Sequence, residues 1–343
     1  MKVAIDISPL KTGHKVRGIG SYTKHLVEQF RKGSANIDFE FFENPSSPPP
    51  VDLVHYPYFD LFFHSLPISK KTSRVVTIHD VIPLIFPQYF PSGIRGNINL
   101  LLQKLALRNV DAIICDSQTS KKDIIDKLSV PKNKVYVIYL ASSDKFHPIS
   151  DYSVLSVVAK KYKLPKKFVL YVGDVNWSKN IPNLLRAVKR ADVNLVMVGE
   201  ALTDKSLPET KSINNLISEL KIENQIVKTG YVSESDLVAI YNLTQVTVLP
   251  SFYEGFGLPI LESMVCGTPV VCSENSSLPE IAGSHAVFCE PDNPSNIARK
   301  ITKVMSLNPR QKQVLSQKFI EHASPFTWEK VAAQTMKVYE SLL

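Results

Sequence analysis

The sequence predicts an α/β protein of two doubly wound parallel-sheet domains facing each other across a cleft. Three observations predict it. Short apolar runs bounded by turn residues alternate with amphipathic stretches throughout. The alternation restarts at Phe168-Val169-Leu170-Tyr171-Val172-Gly173, which reads as the first strand of a fresh unit. Between the halves lies a polar stretch, 142–167, with Pro148, Pro165 and a Lys-rich helix-like piece, expected to be the linker. At 343 residues the chain is long for one core and comfortable for two.

In the first half, the runs VAIDI, FEFF, LVHY, RVVTI, AIIC and VYVIYL predict strands at 3–7, 39–42, 53–56, 74–78, 112–115 and 135–140. Helical patterns fall at 20–31, 94–109 and 120–128. In the second half, strands are expected at 168–172, 194–198, 226–229, 246–249, 269–271 and 286–289. Helices are expected at 181–191, 212–220, 234–241, 258–266, 294–305 and 309–322. Continuously apolar strands of this length imply sheets covered on both faces. The domains are therefore expected as 1–160 and 161–325, both Rossmann-like, followed by an amphipathic helix at 326–343 that could dock on either.

Hydrophobic content of 44% and charged content of 21% belong to an ordinary globular protein and exclude disorder. Met1-Lys2-Val3-Ala4-Ile5-Asp6 enters a strand at once, and Asp6 interrupts any signal-like apolar run. No window reaches the ~18 uncharged apolar residues of a spanning helix, so a cytoplasmic location is expected. Cys115, Cys266, Cys272 and Cys289 show no CxxC spacing and sit in apolar segments, so neither disulfide nor zinc is expected. Of the net charge of +8, about +6 falls before residue 160. A basic solvated surface, a membrane face and phosphate-bearing substrates all fit that balance. Nucleic acid does not, because no clustered Lys/Arg run carries interleaved aromatics. The stretch 94–107, with Leu100-Leu101-Leu102 and basic Arg95, Lys104 and Arg108, suggests a helix that either faces a membrane or packs in a core.

Four stretches carry chemistry. Glu254-Gly255-Phe256-Gly257 follows an apolar strand and opens a helix, and seven residues separate Glu254 from Glu262. A Gly-rich turn at a helix N-terminus is an anion site. Glu262 stands in an otherwise apolar helix and needs hydrogen-bond partners, which a ribose diol would supply. Gly173 to Asn180 is a second strand-to-helix loop, where Lys179 either neutralises a diphosphate or is simply solvated. Arg17-Gly18-Ile19-Gly20 is a partial dinucleotide fingerprint; its third glycine is missing, so an NAD site is rejected. His79 and Asp80 end a strand on the side where inter-domain ligands bind, although a lone histidine is often structural.

Together these residues resemble the retaining glycosyltransferases of the GT-B fold, family GT4, over essentially the whole chain. The most specific element is Glu254-x7-Glu262 followed by Cys266-Gly267-Thr268-Pro269-Val270. Tyr171-Val172-Gly173 with Lys179-Asn180, Arg17-Gly18-Ile19-Gly20 with Tyr22, and Phe326-Thr327-Trp328 support it. Thr77-Ile78-His79-Asp80-Val81-Ile82-Pro83-Leu84 looks most like the mannosyltransferase-like branch that builds surface polysaccharides. The resemblance implies an acceptor-binding first domain, a nucleotide-sugar-binding second domain and a final helix crossing back to the first. It gives Lys179 the donor diphosphate, Glu262 the ribose hydroxyls and Glu254 the sugar hydroxyls, helped by amides at Gly255, Phe256, Gly257 and Leu258. His79 would contact the sugar, Gly18 and Gly20 would close on the diphosphate, Gly173 would belong to the donor site, and Tyr231 and Val232 would flank the base. Two departures stand out: Asp174 and Ser178 occupy positions where many relatives carry arginine, and the Gly-Val-Asp linker motif reads Ala141-Ser142-Ser143-Asp144.

These readings imply a retaining transferase without a cofactor, with Lys179, Glu254 and His79 as the catalytic set. No Asp-x-Asp motif is present, so no metal is expected. GDP-mannose is the first donor expected and a UDP-hexose the second; the acceptor is a glycan or lipid-linked saccharide. The rival readings are a nucleotide-sugar epimerase or phosphorylase on the same fold, and a non-catalytic scaffold that binds sugar nucleotides. An epimerase would convert the donor sugar without an acceptor, and a scaffold would release no nucleoside diphosphate.

Overall fold

The computed structural model describes residues 1–11, 18–34, 36–69 and 71–342. The chain divides into two compact units, Met1–Ala141 with Phe326–Leu343, and Ser142–Pro325.

The first unit holds β1 (Lys2–Asp6), β2 (Asp38–Phe42), β3 (Leu53–Tyr56), β4 (Ser73–Thr77), β5 (Ala112–Cys115) and β6 (Val135–Val137). They form one parallel sheet in the order β2-β1-β3-β4-β5-β6. β3 and β5 are buried at every position; β5 is apolar throughout, and in β3 the buried His55 is satisfied by the Thr77 and Tyr339 hydroxyls. β6 is shorter than expected: only the Ile138 N–H continues the ladder, to the Cys115 carbonyl at 2.9 Å, before the chain leaves the sheet edge. The C-terminal helix Trp328–Glu340 packs on the helix Gly18–Arg31 of this unit. Its N-cap is Thr327, whose hydroxyl accepts from the Lys330 N–H at 3.3 Å.

The second unit holds β7 (Val169–Val172), β8 (Leu195–Val198), β9 (Ile226–Gly230), β10 (Val246–Leu249), β11 (Val270–Ser273) and β12 (Val287–Cys289). Their order is β12-β11-β10-β7-β8-β9, all parallel. After β9 the chain returns to the other side of β7 to form β10. The strand order therefore reverses between β7 and β10, where the carboxyl ends of such a sheet open a crevice.

The boundary near residue 160 is corrected to Ala141. The expected linker is part of the second core. Helix Tyr152–Lys161 packs on helix Glu234–Leu243, burying Leu155 and Val158, and the Phe146 ring meets Tyr241 edge-on at 5.8 Å. The apolar spacing of Leu155 and Val158 outweighs the polar composition around them.

Candidate functional site

In the second unit the loops after β7 and β10 lie side by side at the reversal point. They are fastened at three places. The Phe252 N–H donates to the Ser178 carbonyl at 2.7 Å. The Asn180 side-chain amide donates to the carbonyls of Pro250 (2.8 Å) and Pro291 (2.7 Å). The Trp177 and Phe252 rings stack at 4.8 Å. Asn180 is buried with φ of 55°, a left-handed conformation that asparagine tolerates better than most residues.

This frame brings Lys179 and Glu254 together. Lys179 Nζ lies 2.9 and 2.8 Å from the two carboxylate oxygens of Glu254. Both side chains are largely withdrawn from solvent, at 17% and 8% exposure. The Ser251 hydroxyl donates to Glu254 Oε1 at 2.7 Å, and the Glu254 N–H donates to the Ser276 hydroxyl at 3.1 Å. The Ser277 hydroxyl lies 2.9 Å from the Glu254 carbonyl and 3.0 Å from that of Phe256. The turn thus has a fixed backbone as well as a fixed carboxylate.

Gly257 then takes φ of +97° and caps the helix Leu258–Val265. Its first turn carries Pro259, which has no N–H, and the Ile260 N–H donates to the Gly257 carbonyl at 2.9 Å, so Leu258 supplies the leading amide. Glu262 sits farther along this helix, half-buried, and accepts from the Tyr241 hydroxyl at 2.8 Å. Burial pushes its carboxyl up to about 7, opposed by the Tyr241 hydrogen bond and reinforced by Glu234.

Gly173 closes β7, and its N–H donates to the Val198 carbonyl at 3.0 Å. A Cβ there would stand 2.9 Å from the Tyr171 hydroxyl, which donates to the Asp174 carbonyl at 2.6 Å. Gly199, after β8, donates to the Gly230 carbonyl at 3.2 Å, so the ends of β7, β8 and β9 are linked in a row. Tyr231 and Val232 follow β9, the first 64% exposed and the second buried. Neither Asp174 nor Ser178 offers a cation: the Asp174 carboxylate accepts from the Val175 N–H at 2.8 Å, and the Ser178 hydroxyl donates to Asn176 at 2.8 Å.

In the first unit His79 follows β4, with Nδ1 2.7 Å from an oxygen of buried Asp116, which follows β5. The Tyr22 ring meets the His79 ring edge-on at 4.9 Å. Burial lowers the His79 pKa, but Asp116, Asp80 and the Pro57 carbonyl outweigh it, and the net shift is upward. Behind it runs a buried chain: Tyr22 hydroxyl to Thr77 hydroxyl (3.1 Å), Thr77 to His55 Nε2 (2.8 Å), and His55 Nδ1 to the Tyr339 hydroxyl (2.6 Å). Burial and His79 push His55 down to about 3, so it is neutral. Gly18 and Gly20 lie in the first turn of helix Gly18–Arg31, two to four residues before Tyr22. Arg17 lies outside the described residues.

Within the second unit the structure therefore joins Lys179 and Glu254 directly and places Gly255, Phe256, Gly257, Leu258 and Glu262 on the same turn and helix. Sequence reasoning missed Asn180 as the lock between loops, the three serines around Glu254, Tyr241 behind Glu262 and Asp116 behind His79. Asn180 had a signal, an asparagine opening a helix directly after Lys179, and so did Asp116, an acid ending an apolar strand. The serines and Tyr241 had none.

The sequence pattern described as "Glycosyl transferases group 1" matches residues 158–322, and that described as "Glycosyltransferase Family 4" matches residues 47–141. The chain is 30% identical over 292 residues to O-antigen chain mannosyltransferase B of Escherichia coli, covering 83% of this chain and 75% of that protein. It is 29% identical over 291 residues to the serotype-specific mannosyltransferase WbdA of Escherichia coli, covering 83% of this chain but only 35% of that longer protein. Among solved structures, HepE of Anabaena in complex with UDP-glucose superposes with a TM-score of 0.77 at 19% identity, over 99% of this chain and 100% of that one.

Proposed function

Because the chain belongs to the glycosyl transferases of group 1, we propose that it moves a hexose, mannose first, from a nucleoside diphosphate to a glycan or lipid-linked saccharide, with retention at the anomeric carbon and without a metal. The observation that carries this reading is the Lys179–Glu254 contact at 2.8 Å beside a helix N-terminus at the strand-order reversal. Mannose rests on the names of the relatives at about 30% identity. GDP-mannose is thus the first donor to test and a UDP-hexose the second.

The bond between the anomeric carbon and the phosphate oxygen breaks, and the leaving diphosphate gains negative charge. Lys179 Nζ turns one of its donors from Glu254 to that phosphate, and the Leu258 amide at the head of helix Leu258–Val265, on the positive end of its dipole, meets the same charge. Glu254 keeps one oxygen on Lys179 and presents acceptors to donor-sugar hydroxyls. An acceptor hydroxyl attacks the carbon on the face the phosphate leaves, and its proton passes to the departing phosphate oxygen. Asp116 takes Nδ1 of His79, so a substrate hydroxyl that meets this ring does so at Nε2, which is buried in the free protein. Tyr231, exposed at the end of β9, offers a ring face to the base, with Val232 beneath it.

Acceptor-dependent release of nucleoside diphosphate, with the product anomer read by NMR, tests the proposal. An inverted anomer overturns retention. Donor consumption without acceptor points to an epimerase, and no release at all points to a scaffold.

Glu262 adds a pH signature. A ribose diol donates two hydrogen bonds, so the ionised carboxylate binds best. With its carboxyl at about 7, nucleotide affinity is expected to rise with pH and level off above about 7.5. It should fall by up to about tenfold per pH unit below that. Calorimetry with GDP and UDP between pH 5.5 and 8.5 checks this. Glu262→Gln should bind weakly at every pH, and an unchanged slope in that variant removes Glu262 from the ribose.

A further inference from the structure

We propose that the outer face of helix Gly93–Arg108, together with Phe63, docks on an anionic lipid surface. Ile94, Ile98, Leu101 and Leu105 are 84%, 54%, 64% and 43% exposed. Their spacing of four, three and four residues places them in one stripe along the helix. The opposite face is fully used: Gly96, Gln103, Ala106 and Leu107 are buried against the first unit. The helix is therefore apolar on both sides, and packing accounts for only one of them. The neighbouring loop is stapled to the same helix, with the Gln103 side-chain amide donating to the Asp60 carbonyl at 2.6 Å and that of Asn99 to the Phe62 carbonyl at 2.8 Å. That loop carries Phe63, 71% exposed.

Charge selects the occupant. The helix GIRGNINLLLQKLALR has no acidic residue. At helical spacing Arg95 flanks the stripe on one side, and Lys104 and Arg108 flank it on the other. None of the three makes an ion pair among the described residues. A row of aliphatic side chains bordered by cations suits acyl chains below and anionic headgroups around. A second copy of the chain fits poorly. The stripe is one side chain wide and about 16 Å long, far short of the ~800 Å² per partner of a stable interface. A twofold pairing would also set these cations against their own copies. Among the described residues no helix is long and apolar enough to cross a membrane, so the contact is a surface one.

This rests on the transferase reading only for its purpose, which is to hold the enzyme where a lipid-linked acceptor lies. Vesicle binding needs no turnover, so the two ideas fail separately. Flotation with vesicles of phosphatidylcholine alone and with 30 mol% phosphatidylglycerol would be compared at 50 and 300 mM salt. The protein should partition at least tenfold more onto anionic vesicles, and less at high salt. Arg95→Gln/Lys104→Gln/Arg108→Gln should lose about fivefold per cation. Ile98→Asp/Leu101→Asp should abolish binding at both salt concentrations. Both variants should keep the parent melting temperature and nucleotide affinity. Wild-type protein that stays in solution with anionic vesicles overturns the proposal, as do variants that bind as well as the parent. So does a concentration-dependent dimer that the Asp variant abolishes.

Discussion

Replacing Lys179 by alanine is expected to lower kcat with a nucleoside-diphosphate sugar by about 10²–10³-fold, the loss that follows removal of one donor from a charge that builds in the transition state. Stability should fall too, because Glu254 is 8% exposed and loses the cation that both its oxygens face. A fully buried carboxylate stripped of its partner costs about 3–5 kcal/mol. Here the Ser251 hydroxyl remains, and part of the site reaches water, so a smaller loss of about 2 kcal/mol is expected. Two roles for Lys179 must be separated: meeting the phosphate, and merely neutralising Glu254. Glu254→Gln removes the need for neutralisation. If Lys179 meets the phosphate, Lys179→Ala still costs about 10²-fold in that background. If it serves Glu254 alone, the double variant recovers the rate of Glu254→Gln. Recovery would sink the phosphate assignment, and so would a loss carried by KM alone with kcat intact.

The reason this pair was legible lies in its backbone. A glycine-rich turn between an apolar strand and a helix has few solutions, and Glu254 occupies such a turn, while Lys179 stands at the helix end of a strand-to-helix loop that opens on Gly173. The restart at Phe168 likewise exposed a second sheet, because a fully buried parallel strand must be apolar along its length. What stayed hidden depends on contacts between distant stretches. Ser251, Ser276 and Ser277 converge on the Glu254 turn only after β10 and β11 pair, and an isolated serine carries no periodicity. Tyr241 reaches Glu262 from a different helix. The segment 142–167 misled for a related reason: its lysines and prolines are on the surface, while the few apolar residues among them fill the second core. The stripe on helix Gly93–Arg108 was ambiguous in sequence because apolar residues occur on both its faces, and only burial separates them.

Gly257→Ala is expected to lower the melting temperature of the second unit by about 4–20 °C and nucleotide affinity by about tenfold or more. Gly257 holds φ of +97°, where an L side chain costs about 1–2 kcal/mol. A Cβ would also stand 2.6 Å from Leu278 Cδ2. Leu278 is fully buried, so it cannot swing aside, and overpacking of this kind costs about 1–3 kcal/mol. Together these give about 2–5 kcal/mol, and each kcal/mol is worth roughly 2–4 °C in a unit of this size. Affinity falls for a separate reason. Gly257 aims the first turn of helix Leu258–Val265, and that helix carries Glu262. Strain relieved by rotating the turn moves the Leu258 amide and the Glu262 carboxylate together. The two costs can be parted with Leu278→Ala. In the double variant the clash is gone but φ is unchanged, so part of the lost stability should return while nucleotide affinity stays low. Full recovery of affinity in the double variant would mean that the clash alone displaced the helix. A single variant melting within a degree of the parent would mean that the turn tolerates a side chain, and the aim of the helix would then need another origin.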